Sequence, residues 1–346
     1  MTLFDTSASR RTLLKASLGV AATGVLTAPR IARAAGPDKI NIAYFVGTSP
    51  TMIAKGDGWI EELTKAKVNW IEVGSGAEIN TAVAAGSVDV GIGIGSAPTA
   101  AGLSQGIGYE VVSILDNIGP AEELTVRTSA NIKTVADLKG KKVGTPFGST
   151  SHFRLLGLLK TNGLTQKDVT VLDLRPDALV AAWQRGDIDG AYVWAPAKSK
   201  ILAAGGEVFR TYDKLEAAGY VIADLIVART AFTQAYPDAV VAILKAGNKA
   251  LDVWTKTPDK AAELIGKQAG VTAAVAKEDL LQYDFVSPER QLQPDWLGAP
   301  GKGGKFAEVL QGTAKFLVEQ KSIRSVPELA VFQKGINTAP LVKSLA

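Results

Sequence analysis

The chain reads as an α/β protein built from two similar lobes, and three observations predict this. Strand, small-residue turn and helix alternate over residues 39–115, a second such run follows from residue 123, and one short pattern occurs once in each. The pattern is Ala85-Gly-Ser-Val-Asp-Val-Gly91 in the first run and Arg185-Gly-Asp-Ile-Asp-Gly-Ala191 in the second. Each copy ends a helix with glycine, places Asp after a β-branched residue and enters an apolar strand. Such alternation means parallel βαβ units, and two copies make a unit used twice rather than a solenoid. With 346 residues, 47% hydrophobic and 21% charged, the chain can bury a core in each lobe.

Taken in order, Lys39-Ile-Asn-Ile-Ala-Tyr44 alternates as a first strand, and Val46-Gly-Thr-Ser-Pro50 turns into a helix ending near Gly56-Asp-Gly58. A second strand is predicted over 68–73, then a helix over 77–85 with Gly86 just past its end. A third strand over 88–94 runs into Gly95-Ser-Ala-Pro98 and a helix to about residue 105, followed by a fourth strand over 109–115.

In the second run, residues 124–127 are apolar enough to be a strand crossing between lobes, and 135–138 make a short helix. The strand over 141–145 is broken by Pro146 and Gly148, after which Phe153, Leu156 and Lys160 fall at helical spacing. Ser149 or Thr150 is the expected N-cap there. Strands over 169–174 and 188–194 then alternate with helices over 176–184 and 197–204, and residues 220–229 form a strand carrying one acid, Asp224. From Pro237 the chain is mainly helical, over 238–255, 258–269, 276–282 and 302–320, with a last helix near Val326. That tail packs most simply on the first lobe. The expected division is a first lobe of residues 35–124 plus 223–346 and a second of 125–222, with hinges near residues 125 and 222 and a ligand site between the lobes.

The N-terminal segment is a leader. Ser9-Arg-Arg-Thr-Leu-Leu-Lys15 matches the twin-arginine export pattern, residues 16–28 form a weakly apolar stretch, and Ala32-Arg-Ala34 is a cleavage site. Residues 1–34 are therefore expected to be removed in reaching the periplasm, leaving no membrane anchor in the mature chain. The formal net charge of +4 sits wholly in this leader, whose five basic residues face one acid. The remainder is formally neutral, which removes any argument for nucleic acid or a membrane surface.

Catalytic machinery is hard to find. His152 is the only histidine and cysteine is absent, so no His-rich or thiolate metal site and no Cys–His pair is possible. Gly102-Leu-Ser-Gln-Gly106 fits a nucleophile-elbow pattern, but a helix rather than a strand precedes it. Gly91-Ile-Gly-Ile-Gly95 lacks the third glycine of a dinucleotide fingerprint. A binding protein without cofactor is the favoured reading. Three turns follow strand ends and open helices: Thr48-Ser49, Gly95-Ser96-Ala97 and Ser149-Thr150-Ser151. Their free N–H groups suit a small tetrahedral oxyanion such as sulfonate, sulfate or phosphate. Trp194 precedes Pro196 at a strand end and is placed to face the cleft, whereas Trp183 is placed for the core.

These turns, with Tyr44 before the first of them, His152 after the last, and the run Ala181-Ala-Trp-Gln-Arg-Gly-Asp-Ile-Asp-Gly-Ala-Tyr-Val-Trp-Ala-Pro-Ala197, resemble the sulfonate, nitrate and taurine substrate-binding family of ABC importers. The resemblance implies the two-lobed type II periplasmic binding protein fold, closure over a ligand, no chemistry, and a permease with its ATPase as partners. It implies a sulfonate held by the three turns and walled by Tyr44, His152 and Trp194. For taurine, a zwitterion, it further implies an acid for the ammonium, matched by Asp224 on the second crossing and Glu122 on the first. An alkanesulfonate, nitrate or a thiamine-precursor pyrimidine remain alternative ligands, and a sensing partner or a periplasmic enzyme alternative classes. Asp116-Asn117 and Pro120-Ala121 depart from the family pattern.

Overall fold

The computed structural model describes residues 36–346; the expected export leader, with its expected cleavage site, lies outside them. The strands are β1 (Lys39–Tyr44), β2 (Lys67–Glu72), β3 (Val90–Gly95), β4 (Tyr109–Asn117), β5 (Glu123–Arg127), β6 (Lys142–Thr145), β7 (Thr170–Asp173), β8 (Gly190–Val193), β9 (Gly206–Phe209), β10 (Ala223–Arg229) and β11 (Asp284–Phe285). They form two sheets, ordered β11-β4-β10-β3-β1-β2 and β7-β6-β8-β5-β9. In the first, β2, β1 and β3 are parallel and β10 runs antiparallel between β3 and β4. In the second, β7, β6 and β8 are parallel, with β5 antiparallel to β8 and β9.

Residues 124–127 are corrected by this topology. They form the body of β5 inside the second sheet, and the chain passes between sheets just before it, over 118–122, where Gly119 turns at φ 55°. A positive φ of that kind is open to glycine at little cost. The sequence reading did not include the helices Trp59–Thr64, Tyr212–Ala217, Thr230–Ala235, Pro288–Gln291 and Ala339–Ser344, or the short strands β9 and β11. The helix expected over 302–320 starts later, at Phe306, because Gly301 and Gly303 both adopt positive φ. The helix expected near Val326 is Leu329–Lys334, with Ala339–Ser344 after it.

Helices cover both faces of each sheet. The helix Pro237–Lys256 begins with Pro at its first position and buries Val240, Ile243, Leu244 and Ala250, an i, i+3, i+4 stripe, against Ile40 and Ile42 of β1. Each aliphatic side chain so buried contributes about 1.5–3 kcal/mol by leaving water. A second core under Ile94, Val111 and Leu225 continues into the helix Thr150–Thr161 of the other half and the tail helix Phe306–Glu319. There Phe153, Tyr220 and Phe316 pack ring to ring at 5.1–5.3 Å. A third core, around Trp183, Leu179 and Ile201, backs the second sheet. The tail thus packs mainly on the first sheet and reaches the second through Phe316.

Candidate functional site

A cavity of about 70 Å³ opens between the sheets, at the C-terminal ends of β1, β3 and β8. Three features fix its position. Strand β1 delivers Tyr44 and Phe45, then turns through Thr48 and Ser49; β3 ends at Gly95; and β8 delivers Trp194 from the other side. Phe45 and Trp194 meet edge to face at 5.8 Å, closing one wall. At Gly95 the halves come so close that a Cβ would stand 2.5 Å from the Thr150 methyl carbon, so only glycine fits.

All three expected helix starts behave differently from a row of free donors. Ser49 Oγ accepts from the Thr51 N–H at 3.3 Å, and Thr48 Oγ1 is buried without a partner. Ser149 caps its helix, accepting from the His152 N–H at 3.1 Å and donating to the Pro146 carbonyl at 2.6 Å. Of the helix-opening amides, those of Thr150 and Ser151 therefore remain. At the middle turn Ser96 is fully buried and its Oγ accepts from the Ala223 N–H at 3.3 Å, tying the helix Ser96–Ser104 to β10.

The structure gathers Tyr44, Thr48, Ser49, Glu122, Ser149, Thr150, Trp194 and Asp224 around the cavity. Ser96, Ala97, Ser151 and His152 are not among its lining residues. Ala97 and His152 line a separate groove on the flank, where the imidazole stacks on Phe147 at 4.3 Å. The Gly148 N–H donates to its Nδ1 at 3.3 Å, and burial holds its pKa down at about 4.

The acids give the cavity its character. The Thr150 hydroxyl donates to Glu122 Oε1 at 2.7 Å, while Oε2 is buried and unpartnered. Burial raises the Glu122 pKa, and the Thr150 and Ser151 hydroxyls, with the charges of Arg154 and Lys198, pull it back. Lys198 stands behind the crossing, donating to the Pro120 and Ala121 carbonyls at 2.8 and 3.2 Å and to Gln282 Oε1 at 2.8 Å. Burial raises the Asp224 pKa, and the nearby Asp116 and Glu122 charges raise it further.

Asp116 was missed as a site residue. It lines the cavity, is 3% exposed, and lies at the end of β4 opposite Asp224. The signal was an acid closing the apolar run Val111-Val-Ser-Ile-Leu-Asp116, the same signal that drew attention to Asp224. Tyr283, Met52 and Leu115 add apolar surface that no motif announced. Among the described residues no group of His, Asp or Glu is placed to hold a metal, and no helix is long and apolar enough to cross a membrane.

The family model described as NMT1/THI5 like matches residues 48–261. The chain is similar to the taurine-binding periplasmic protein of Escherichia coli (strain K12), at 33% identity over 297 residues, which is 83% of this chain and 88% of the relative. Among solved structures it is similar to the alkanesulfonate-binding protein SsuA from Xanthomonas axonopodis pv. citri bound to MOPS, with TM-score 0.74 and 24% identity over 88% of this chain and 99% of that one. The periplasmic aliphatic sulphonate binding protein SsuA from Escherichia coli gives TM-score 0.68 at 24% identity, covering 85% of this chain and 91% of that one. These likenesses carry the two-lobed type II periplasmic binding protein fold. With a family model matching more than half of its residues and a one-third-identical relative aligned along most of both chains, the protein belongs to the NMT1/THI5-like family.

Proposed function

We propose that the protein is the substrate-binding component of an ABC importer, capturing taurine or a closely related sulfonate and delivering it to a permease driven by an ATPase. The observation that carries this reading is the mixed chemistry of one cavity: the unpartnered Thr48 hydroxyl and the helix-opening amide of Thr150, beside Ser49 and Ser149, suit a sulfonate, while Glu122 and Asp224 suit an ammonium. A sulfonate without an amine would bring negative charge to buried acids and leave them unpaired, which is costly. That consideration favours taurine over a plain alkanesulfonate. The name of the one-third-identical taurine-binding relative points the same way.

In this reading the lobes expected at 35–124 plus 223–346 and at 125–222, with the first boundary moved back to the crossing over 118–122, close over the ligand, hinged where the chain crosses between sheets. Residues 1–34 direct export by the twin-arginine route, with cleavage near Ala34 releasing the protein to the periplasm. Titration calorimetry with taurine, ethanesulfonate and nitrate tests the ligand. Taurine should bind most tightly, and Asp224→Ala should weaken it by about 2–4 kcal/mol with little effect on ethanesulfonate. Equal affinity of the unaltered protein for taurine and ethanesulfonate overturns the reading.

A further inference from the structure

Asp116 has no part in the taurine reading as stated, yet it is as buried as Glu122. Strands β4 and β10 are antiparallel, and Asp116 pairs with Asp224 across them. Directly opposed residues of such a pair stand on the same face, with Cβ atoms about 4.5–5.5 Å apart. Both line the cavity, and Asp116 Oδ1 is buried there without a hydrogen-bond partner.

The groups facing Asp116 are Asp224 on β10, Glu122 on the crossing, Asp284 on β11 and Tyr283 just before it, and none of them is a cation. Lys198 and Arg154 act on Glu122. Two like charges set side by side in a dry cavity need either a proton between them or a positive group from outside. A ligand ammonium can supply that group and offer one N–H to each acid.

We infer that Asp116 is a specificity-determining residue: with Asp224 it forms a carboxylate pair that selects sulfonates whose positive end carries at least two N–H donors. This rests on the taurine reading above. Amine-free sulfonates leave the pair unsatisfied, and a quaternary ammonium brings charge without donors. In the empty cavity the opposed pair holds a proton: burial raises both acids, the Glu122 and Asp284 charges raise Asp116 further against the pull of the Asp224 backbone N–H, and the Asp116 charge raises Asp224. The entering ammonium displaces that proton, so taurine binding near neutral pH releases it to solvent.

The test is calorimetry on the purified protein with taurine, N,N,N-trimethyltaurine and ethanesulfonate, in two buffers of different ionisation enthalpy. Taurine should bind about thirtyfold or more tighter than the trimethyl compound, with proton release. Asp116→Asn should lose about thirtyfold or more for taurine, abolish the release and not weaken ethanesulfonate, so that the preference for taurine collapses. Trimethyltaurine binding as tightly as taurine, or Asp116→Asn binding taurine like the unaltered protein, overturns the inference while the taurine reading stands. Failure of the unaltered protein to bind taurine overturns both. Should Asp116→Asn not fold, the ligand comparison and the proton count on the unaltered protein still decide.

Discussion

Asp89 in the first sheet and Asp189 in the second occupy equivalent places. Asp89 Oδ2 accepts from the Asn41 N–H at 2.9 Å and its carbonyl from the Arg229 N–H at 2.8 Å. Asp189 Oδ2 accepts from the Lys142 N–H at 2.8 Å and its carbonyl from the Arg127 N–H at 2.8 Å. Each acid thus pins the start of its own strand between a parallel neighbour and the antiparallel strand beyond. The guanidiniums differ: that of Arg229 pairs with Asp89, whereas that of Arg127 bonds the Trp183 and Ile188 carbonyls. Asp89→Ala should therefore cost about 2–4 kcal/mol and Asp189→Ala about 1–2 kcal/mol in urea unfolding. Equal costs would contradict this account of the pair.

Thr150 should matter to stability through Glu122. Thr150→Val keeps the shape and removes the donor from a buried carboxylate, costing about 1–3 kcal/mol. A double-mutant cycle with Glu122→Gln should read a coupling of about 1–2 kcal/mol. Additivity of the two changes would show that the hydroxyl and the acid do not communicate.

His152 should stay neutral far into the acid range. As the only histidine it gives one imidazole signal by NMR, expected to titrate at about 4, because burial disfavours the cation and Nδ1 is occupied as an acceptor. Between 6.5 and about 4 the unfolded chain binds a proton that the folded one does not, so this group's contribution to stability falls as pH falls. The loss is on the order of 3 kcal/mol. Comparing the unaltered protein with His152→Gln isolates the imidazole from Asp116 and Asp224, whose raised values act in the opposite sense. A midpoint near 6.5 would place the ring in water.

Arg175 and Glu78 join the helices of the two sheets at 2.6 Å, and both side chains are about half exposed. Arg175→Ala should change stability by less than about 0.5 kcal/mol yet speed ligand release by about threefold at low salt. Stopped-flow tryptophan fluorescence reads the rate, and the difference should vanish at high salt. A difference that persists in high salt argues against an ion-pair latch.

The parallel strands and the return of the tail were legible because apolar runs and glycine stops recur with the βαβ period. Asp224 was legible as an acid in an apolar strand. Asp116 carried the same signal but is followed by Asn117 at the strand's end, where an acid reads as a turn residue; only the pairing with β10 reveals it. The serine turns were located correctly but not aimed. A helix advances about 100° per residue, so once Thr150 faces the cavity, Ser151 reaches it only through Glu122 and His152 turns to the flank. Ser96 could bond either a ligand or a neighbouring strand, and the choice is made by β10, which arrives more than a hundred residues later. Strands β9 and β11 are too short to show periodicity and exist through their partners.

The contact between Gly95 and Thr150 has a practical consequence. Where two jaws meet with no space for a methyl group, one added carbon acts as a doorstop. Gly95→Ala would hold Thr150 off β3 while removing no acid or hydroxyl from the cavity. That gives a reference for the unclosed state, against which ligand-driven movement of Trp194 toward Phe45 can be read as a change in fluorescence.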